Sequence, residues 1–302
     1  MIPNYGGSMI QFRNYPINIV YSLHRQKAID PLWNQYSFQR TSAAKRAVEH
    51  LFKLDFNKMK RDLEVYGEKD GLIDAAMQWQ LIEDLDPKYR REIHDYENTI
   101  ENTLNTFSHT SIGKMLLDMI NPAKIVWIIP ADWDTPRGIT WCRTEAQGGG
   151  VRISFSPSSF LKVDIGPRAT GNAIEDTLFH ELVHAMRYSQ SRFNGRGLIN
   201  PDFGNTEEFI ATQFANVYHS SRRRSEWYDL YRYGGYKTKK EYYEYFANDA
   251  ELVMVLKYFL KTEPLARSVA NLKQPDFNPF RDFGEIEAKA KKIFGVDNFM
   301  DF

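Results

Sequence analysis

The chain has 302 residues, 42% of them hydrophobic, with 20 Phe, 17 Tyr and 6 Trp, enough apolar side chain to build a sizeable core. Lys plus Arg and Asp plus Glu both number 39, a formal net charge of zero that gives no field for gripping a polyanion, so nucleic acid is not an expected partner. Cys142 is the single cysteine, which excludes a disulfide within the chain and suits maturation in a reducing cytoplasm.

Residues 1–120 read as a mainly helical region and residues 121–302 as the unit that carries the chemistry. The opening stretch "MIPNYGGSMIQFRNYPINIVYSL" lacks the basic start, apolar run and small-residue cleavage site of a leader. Export, if it occurs, is therefore expected without a cleaved signal. No run approaches the ~18 continuous apolar residues of a membrane span. The stretches "TSAAKRAVEHLFKLDFNKMKRDLEVYG" (41–67) and "DPKYRREIHDYENTIENTLNTF" (86–107) have helical spacing of charged and apolar residues. "TSIGKMLLDMI" (110–120) is a short apolar helix ending before Asn121-Pro122.

The texture then changes. "KIVWIIP" (124–130) is β-branched and apolar, as in a buried strand. "GGGVRISFSP" (148–157) alternates Val151, Ile153 and Phe155 with Arg152, Ser154 and Ser156, a half-exposed strand. Residues 151–156 are expected at a sheet edge, where an extended substrate could pair by main-chain hydrogen bonds. The loop "KVDIGPRATGN" (162–172) leads into "DTLFHELVHAMRYSQ" (176–190), and a second helix, "NTEEFIATQFANVYHS" (205–220), follows a Gly-, Asn- and Pro-rich loop. Beyond lie the aromatic turn "YDLYRYGGYKT", one helix near "KKEYYEYFANDAELVMVLKYFL" and a Pro-broken tail.

"HELVH" sets His180 and His184 four apart, on one helical face and a turn from each other, so both can address one ion. Glu181 lies beside that face, where it can take a proton from water activated by zinc. Ile174, Leu178, Leu182 and Met186 form the opposite, apolar stripe. Catalytic zinc needs a third protein ligand. Glu207 and Glu208 open the second helix and either carboxylate could serve. Asn205 with Glu208 three residues on also fits a capping box, which needs no metal. The face of Glu208 continues with Ala211, Thr212 and Ala215, small enough for close helix approach, and this favours Glu208 as ligand with Glu207 in a capping or supporting role.

His219 is read as a helix-end or core-edge histidine before a site residue, and His24, His50, His94 and His109 share no ligand spacing. Arg222-Arg223-Arg224 reads as a solvated helix end, with an acidic substrate segment as the alternative occupant. Tyr242, Tyr243, Tyr245 and Phe246 read as core.

"HELVHA" followed by "EEFIATQF" resembles the gluzincin metallopeptidases of bacterial toxins and secreted effectors. Over about residues 110–285 the chain is most similar to effector zincins of the NleD kind and to the metallopeptidase domain of type VI secretion VgrG spike proteins. The shared features are "IGKMLLDMI" before "KIVWIIP", a strand ending in Ser-Pro, and the "EEF…NVY" helix. The resemblance implies an α+β, zincin-like fold with a small mixed sheet, an active-site helix and a glutamate helix. It also implies zinc held by His180, His184 and Glu208, a protein or peptide substrate, and release from the producer's cytoplasm into a target cell. A secretion-apparatus component or a cognate immunity protein would be the partner. Two positions depart from the pattern. Thr212 stands where some gluzincins place an acidic residue that orients a ligand histidine, and "LYRYGGY" has Tyr233 where the relatives carry histidine. Tyr233 or Tyr231 would then donate to the oxyanion. The competing readings are a zinc amidase acting on cell-wall peptide and a non-catalytic interaction module.

Overall fold

The structure is a computed structural model describing residues 9–20, 87–129, 143–147, 150–155, 174–200, 202–222 and 238–295. The expected helix at 41–67, the loop at 162–172, Cys142, His24, His50, Arg223, Arg224, Tyr231 and Tyr233 lie outside them. The fold is α+β. Among the described residues no helix is long and apolar enough to cross a membrane. The chain divides into two compact units, one of residues 1–102 with 125–159 and one of residues 103–124 with 160–302.

The first unit holds a five-stranded mixed sheet in the order β1-β2-β3-β5-β4. Its strands are β1 (Met9–Gln11), β2 (Ile17–Val20), β3 (Ile125–Ile129), β4 (Arg143–Gln147) and β5 (Gly150–Ser154). β2, β3 and β5 run parallel, while β1 and β4 pair antiparallel at the two ends. The strand expected from "KIVWIIP" is present, with Val126, Trp127 and Ile128 buried. The alternation in "VRISF" is also real: Val151, Ile153 and Phe155 are buried while Arg152 and Ser154 are half-buried.

The expected edge position of that strand is wrong. β5 lies between β3 and β4, with Ile153 opposite both Ile128 and Thr144, so its main-chain groups already serve two ladders. Among the described strands, β1 and β4 are outermost. Gly150 is required where the hairpin strand enters the sheet, because a Cβ there would run into the Ile125 carbonyl oxygen and the Trp127 ring. Residues 87–102 of helix α1 (Pro87–Ser108) belong to this unit, where the Tyr96 hydroxyl donates to the Phe155 carbonyl at 3.0 Å.

Among the described residues of the second unit the regular elements are helices, apart from an isolated bridge between Gly197 and Asn205. α2 (Ser111–Asp118) is capped by Thr110, whose hydroxyl accepts from Gly113 N–H, and it buries Ile112, Leu116 and Leu117. α3 (Ile174–Ser189) and α4 (Thr206–Ser221) follow. Asn121 ties the end of α2 to the end of α3, its N–H donating to Ser189 Oγ at 3.1 Å and its side-chain amide to Ser189 O at 3.2 Å. Phe107, Phe179 and Tyr218 meet face and edge, with Phe179 stacked on Tyr218 at 4.4 Å.

The single helix expected over 239–260 is two: α5 (Lys239–Ala247) and α6 (Ala250–Thr262). The apolar pattern runs across the junction, but the Asp249 carboxylate accepts from Glu251 and Leu252 N–H and starts a new helix. α7 (Pro264–Ala270) begins at a proline whose missing N–H costs nothing at that position. α8 (Phe283–Phe294) completes the described chain. Tyr242, Tyr243 and Phe246 are buried among aromatic neighbours including Phe209 and Phe277, as a core reading requires.

Candidate metal centre

Two helices of the second unit build the site. α3 is buried on almost every side, beyond the two-faced helix its pattern suggests: Leu178, Phe179, Leu182, Val183, Ala185 and Met186 are all fully buried, and His180, Glu181 and His184 nearly so. α4 is as enclosed, with Ala211 and Ala215 letting it sit against a neighbour. The pair runs antiparallel, since Glu175 and Asp176 at the start of α3 meet Tyr218 and His219 at the end of α4, while Arg187 near the end of α3 meets Glu207 at the start of α4.

Asn205 caps α4 by accepting from the N–H groups of Glu207 and Glu208, both at 2.9 Å. The second half of a capping box is absent, because the Glu208 carboxylate turns toward the histidines instead. Glu208 Oε2 lies 3.1 Å from His180 Nε2, Glu208 Oε1 lies 3.5 Å from His184 Nε2, and the two Nε2 atoms are 3.0 Å apart. One ligand atom from each of the three residues falls within 4.8 Å of the others, the grouping of His180, His184 and Glu208 drawn from the sequence. Tetrahedral zinc with bonds of about 2.0–2.1 Å would set its donors about 3.3–3.4 Å apart. The observed separations bracket that value, so the residues fit the ion. Their chemistry also fits, two imidazoles and a carboxylate being a common catalytic zinc set.

The electrostatics follow from crowding. Burial works to raise the Glu208 pKa, but the two histidines outweigh it and hold the carboxylate far below its usual range. Burial works to lower that of His184, and the Glu208 hydrogen bond with the Glu181 charge reverses this, so His184 lies above 6.5. The His side chains are 9% and 6% exposed and Glu208 is 30% exposed, so solvent reaches the cluster on the carboxylate side. Glu181, next to His180 on the buried helix, is close enough for its charge to act on His184.

Glu207 is outside that group. It is fully buried and its carboxylate is taken by Arg187, Nε to Oε2 at 2.7 Å and Nη2 to Oε1 at 2.8 Å, with Asn194 N–H donating to Oε1 at 2.7 Å. Arg187 also donates to Glu263, and its guanidinium lies 4.9 Å from the centre of the Phe259 ring. Sequence reasoning passed over Arg187 and Glu263. The available signal was Arg187 following His184 by one turn within a buried helix, where a cation requires a partner.

Thr212 is buried, and among the described residues neither its hydroxyl nor the Nδ1 atoms of His180 and His184 have a hydrogen-bond partner. Among the described residues Thr212 therefore does not orient either histidine as an acid at that position would. His219 is paired with Asp176 at 2.9 Å and is a core residue. His109 sits against the Asn105 carbonyl at 2.6 Å, away from the ligand set. The loop joining the two helices is pinned by Leu198 N–H to Gly204 O at 3.1 Å and Thr206 N–H to Arg196 O at 2.9 Å, with Gly204 turning at φ +66°.

Comparisons of the chain with family models, with curated proteins and with solved structures find no match. The functional reading therefore rests on the residues and geometry of the site.

Proposed function

We propose that this chain is a mononuclear zinc endopeptidase of gluzincin type on a zincin-like fold, acting as a secreted bacterial effector or toxin on a protein target. The observation that carries the proposal is the convergence of His180 Nε2 and His184 Nε2, 3.0 Å apart, on the Glu208 carboxylate, whose Oε2 lies 3.1 Å from the first and Oε1 3.5 Å from the second. Charged and polar groups are brought that close in a buried place only where something offsets their mutual cost. Zinc, when bound, supplies a Lewis acid that polarises a peptide carbonyl and lowers the pKa of water toward ~7.

The chain's own residues do the rest. His180, His184 and Glu208 would hold the ion, the three grouped donors found among the described residues. Glu181 accepts the proton of the attacking water and delivers it to the leaving amine. Tyr231 or Tyr233 donates to the developing oxyanion. The partial exposure of Glu208 supports access for a substrate carbonyl.

The test has two parts. Purified protein is analysed for metal, then incubated with a proteome and the new N-termini are mapped. Stoichiometric zinc with a recurrent cleavage site that disappears in Glu181→Gln supports the endopeptidase. Zinc without new N-termini, but with release of amide-linked fragments from cell-wall peptide, replaces it with an amidase. Absence of bound zinc after reconstitution refutes both.

A further inference from the structure

Consecutive residues on a helix point about 100° apart, so Glu207 and Glu208 in the first turn of α4 are rivals for the same histidines. A rotation of that turn by about 100° would present Glu207 and withdraw Glu208. Arg187 stands one turn beyond His184 on α3 and takes both oxygens of Glu207 at 2.7 and 2.8 Å. All three members of the cluster are buried, Arg187 at 4% exposure, Glu207 at 0% and Glu263 at 1%. A planar guanidinium grips a carboxylate in one orientation, which fixes rotation as well as distance. Its remaining donors go to Glu263 and, at 2.8 Å, to the Arg192 carbonyl, so the guanidinium is itself held from α7 and from the loop.

We infer that Arg187 and Glu207 are positioning residues of the metal centre: the bidentate pair sets the rotation of α4 so that Glu208 meets His180 and His184, and it keeps Glu207 from competing for the ion. The inference rests on the metal reading above. Buried charge pairs are poor sources of net stability but are well suited to fixing register. Glu263 provides the contrast. It is equally buried and binds the same guanidinium, yet it lies at the junction of α6 and α7, outside the two helices that carry the proposed ligands.

The experiment measures zinc affinity of metal-stripped full-length protein by competition with a chromophoric chelator, well below the thermal midpoint of each variant. Glu207→Gln and Arg187→Lys are expected to weaken zinc by about 10-fold to 100-fold, the usual cost of losing an outer partner of a ligand. Glu263→Gln lowers the thermal midpoint as they do but leaves zinc affinity at the wild-type value. Cobalt substituted for zinc should show altered d–d absorption in Glu207→Gln and not in Glu263→Gln. Should Glu207→Gln lose its helical circular dichroism, Glu207→Asp takes its place with the same expectation. Equal zinc affinities in the Glu207 and Glu263 variants overturn the inference, because a purely structural cluster treats its two carboxylates alike. A wild-type chain that takes no zinc overturns the metal reading and the inference together, whereas wild-type binding with unchanged binding in Glu207→Gln overturns the inference alone.

Discussion

His219, in the last turn of α4, lies 2.9 Å through Nδ1 from Oδ2 of Asp176, in the first turn of α3. Asp176 precedes His180 by one turn, and Arg187 follows His184 by nearly one. The two ligand histidines therefore sit between two buried polar ties that join the same pair of helices at opposite ends. Each member of the Asp176–His219 tie also suits its helix end, an acid at the N-terminus and a histidine at the C-terminus. Asp176→Ala removes the carboxylate beside a buried imidazole, and unfolding by urea should show a loss of about 1–3 kcal/mol. A double-mutant cycle with His219→Ala should return a coupling of at least ~0.5 kcal/mol. Additive losses would mean that the two side chains are neighbours without a shared interaction.

Metal and stability should move together. About one zinc per chain is expected by elemental analysis, falling to background in His180→Ala, His184→Ala and Glu208→Ala, since each removes one of three donors. Zinc in excess by about 100 times its dissociation constant would add about 2.7 kcal/mol to the folded state, so chelation should lower the thermal midpoint of wild type and not of these variants. Full zinc occupancy in Glu208→Ala, with loss in Glu207→Ala, would reverse the ligand assignment.

The grouping of His180, His184 and Glu208 was readable because four residues of helix bring His180 over His184, and a cap followed by small residues marks Glu208. The support was not readable, because it joins residues 20 and 76 apart in sequence that only tertiary packing brings together. The sheet shows the same division. β3 and β5 have strong apolar signatures, whereas β4, "RTEAQ", has Ala146 as its only apolar residue and passes for loop. Missing β4 is what made β5 look like an edge. β1 and β2 are three and four residues long, too short to show a period, and β2 joins β3 across more than a hundred residues of chain. Within α5–α6 a real cap at Asp249 was hidden beneath an unbroken apolar pattern.

Acid sensitivity offers a check on the C-terminal helices, away from the ligands. Burial works to raise the Asp282 pKa, but Arg281 at 2.6 Å, Lys239 at 3.0 Å and the Tyr243 hydroxyl at 2.8 Å together hold it below 3.8. A depressed folded-state pKa gives stability that is complete above the unfolded value and is lost as pH falls toward the folded one. Asp282→Asn should therefore lower the thermal midpoint by a constant amount above about pH 5, and the gap to wild type should narrow below pH 3.8. A gap independent of pH down to about 2 would show that the Asp282 charge contributes nothing.

Glu181 separates chemistry from architecture. Its carboxylate is on the nearly buried ligand helix, yet it is outside the converging donor set. Replacing it with glutamine keeps size and helix propensity and removes the base. Zinc content and circular dichroism of Glu181→Gln should match wild type, while turnover falls by about 10² or more, the usual contribution of a positioned general base. Because the lost proton transfer belongs to the transition state, the defect should appear in kcat with KM little changed. A fall in zinc affinity parallel to the loss of turnover would instead make Glu181 part of the metal cage. Unchanged turnover would remove the hydrolytic mechanism and leave the triad as a binding site without catalysis.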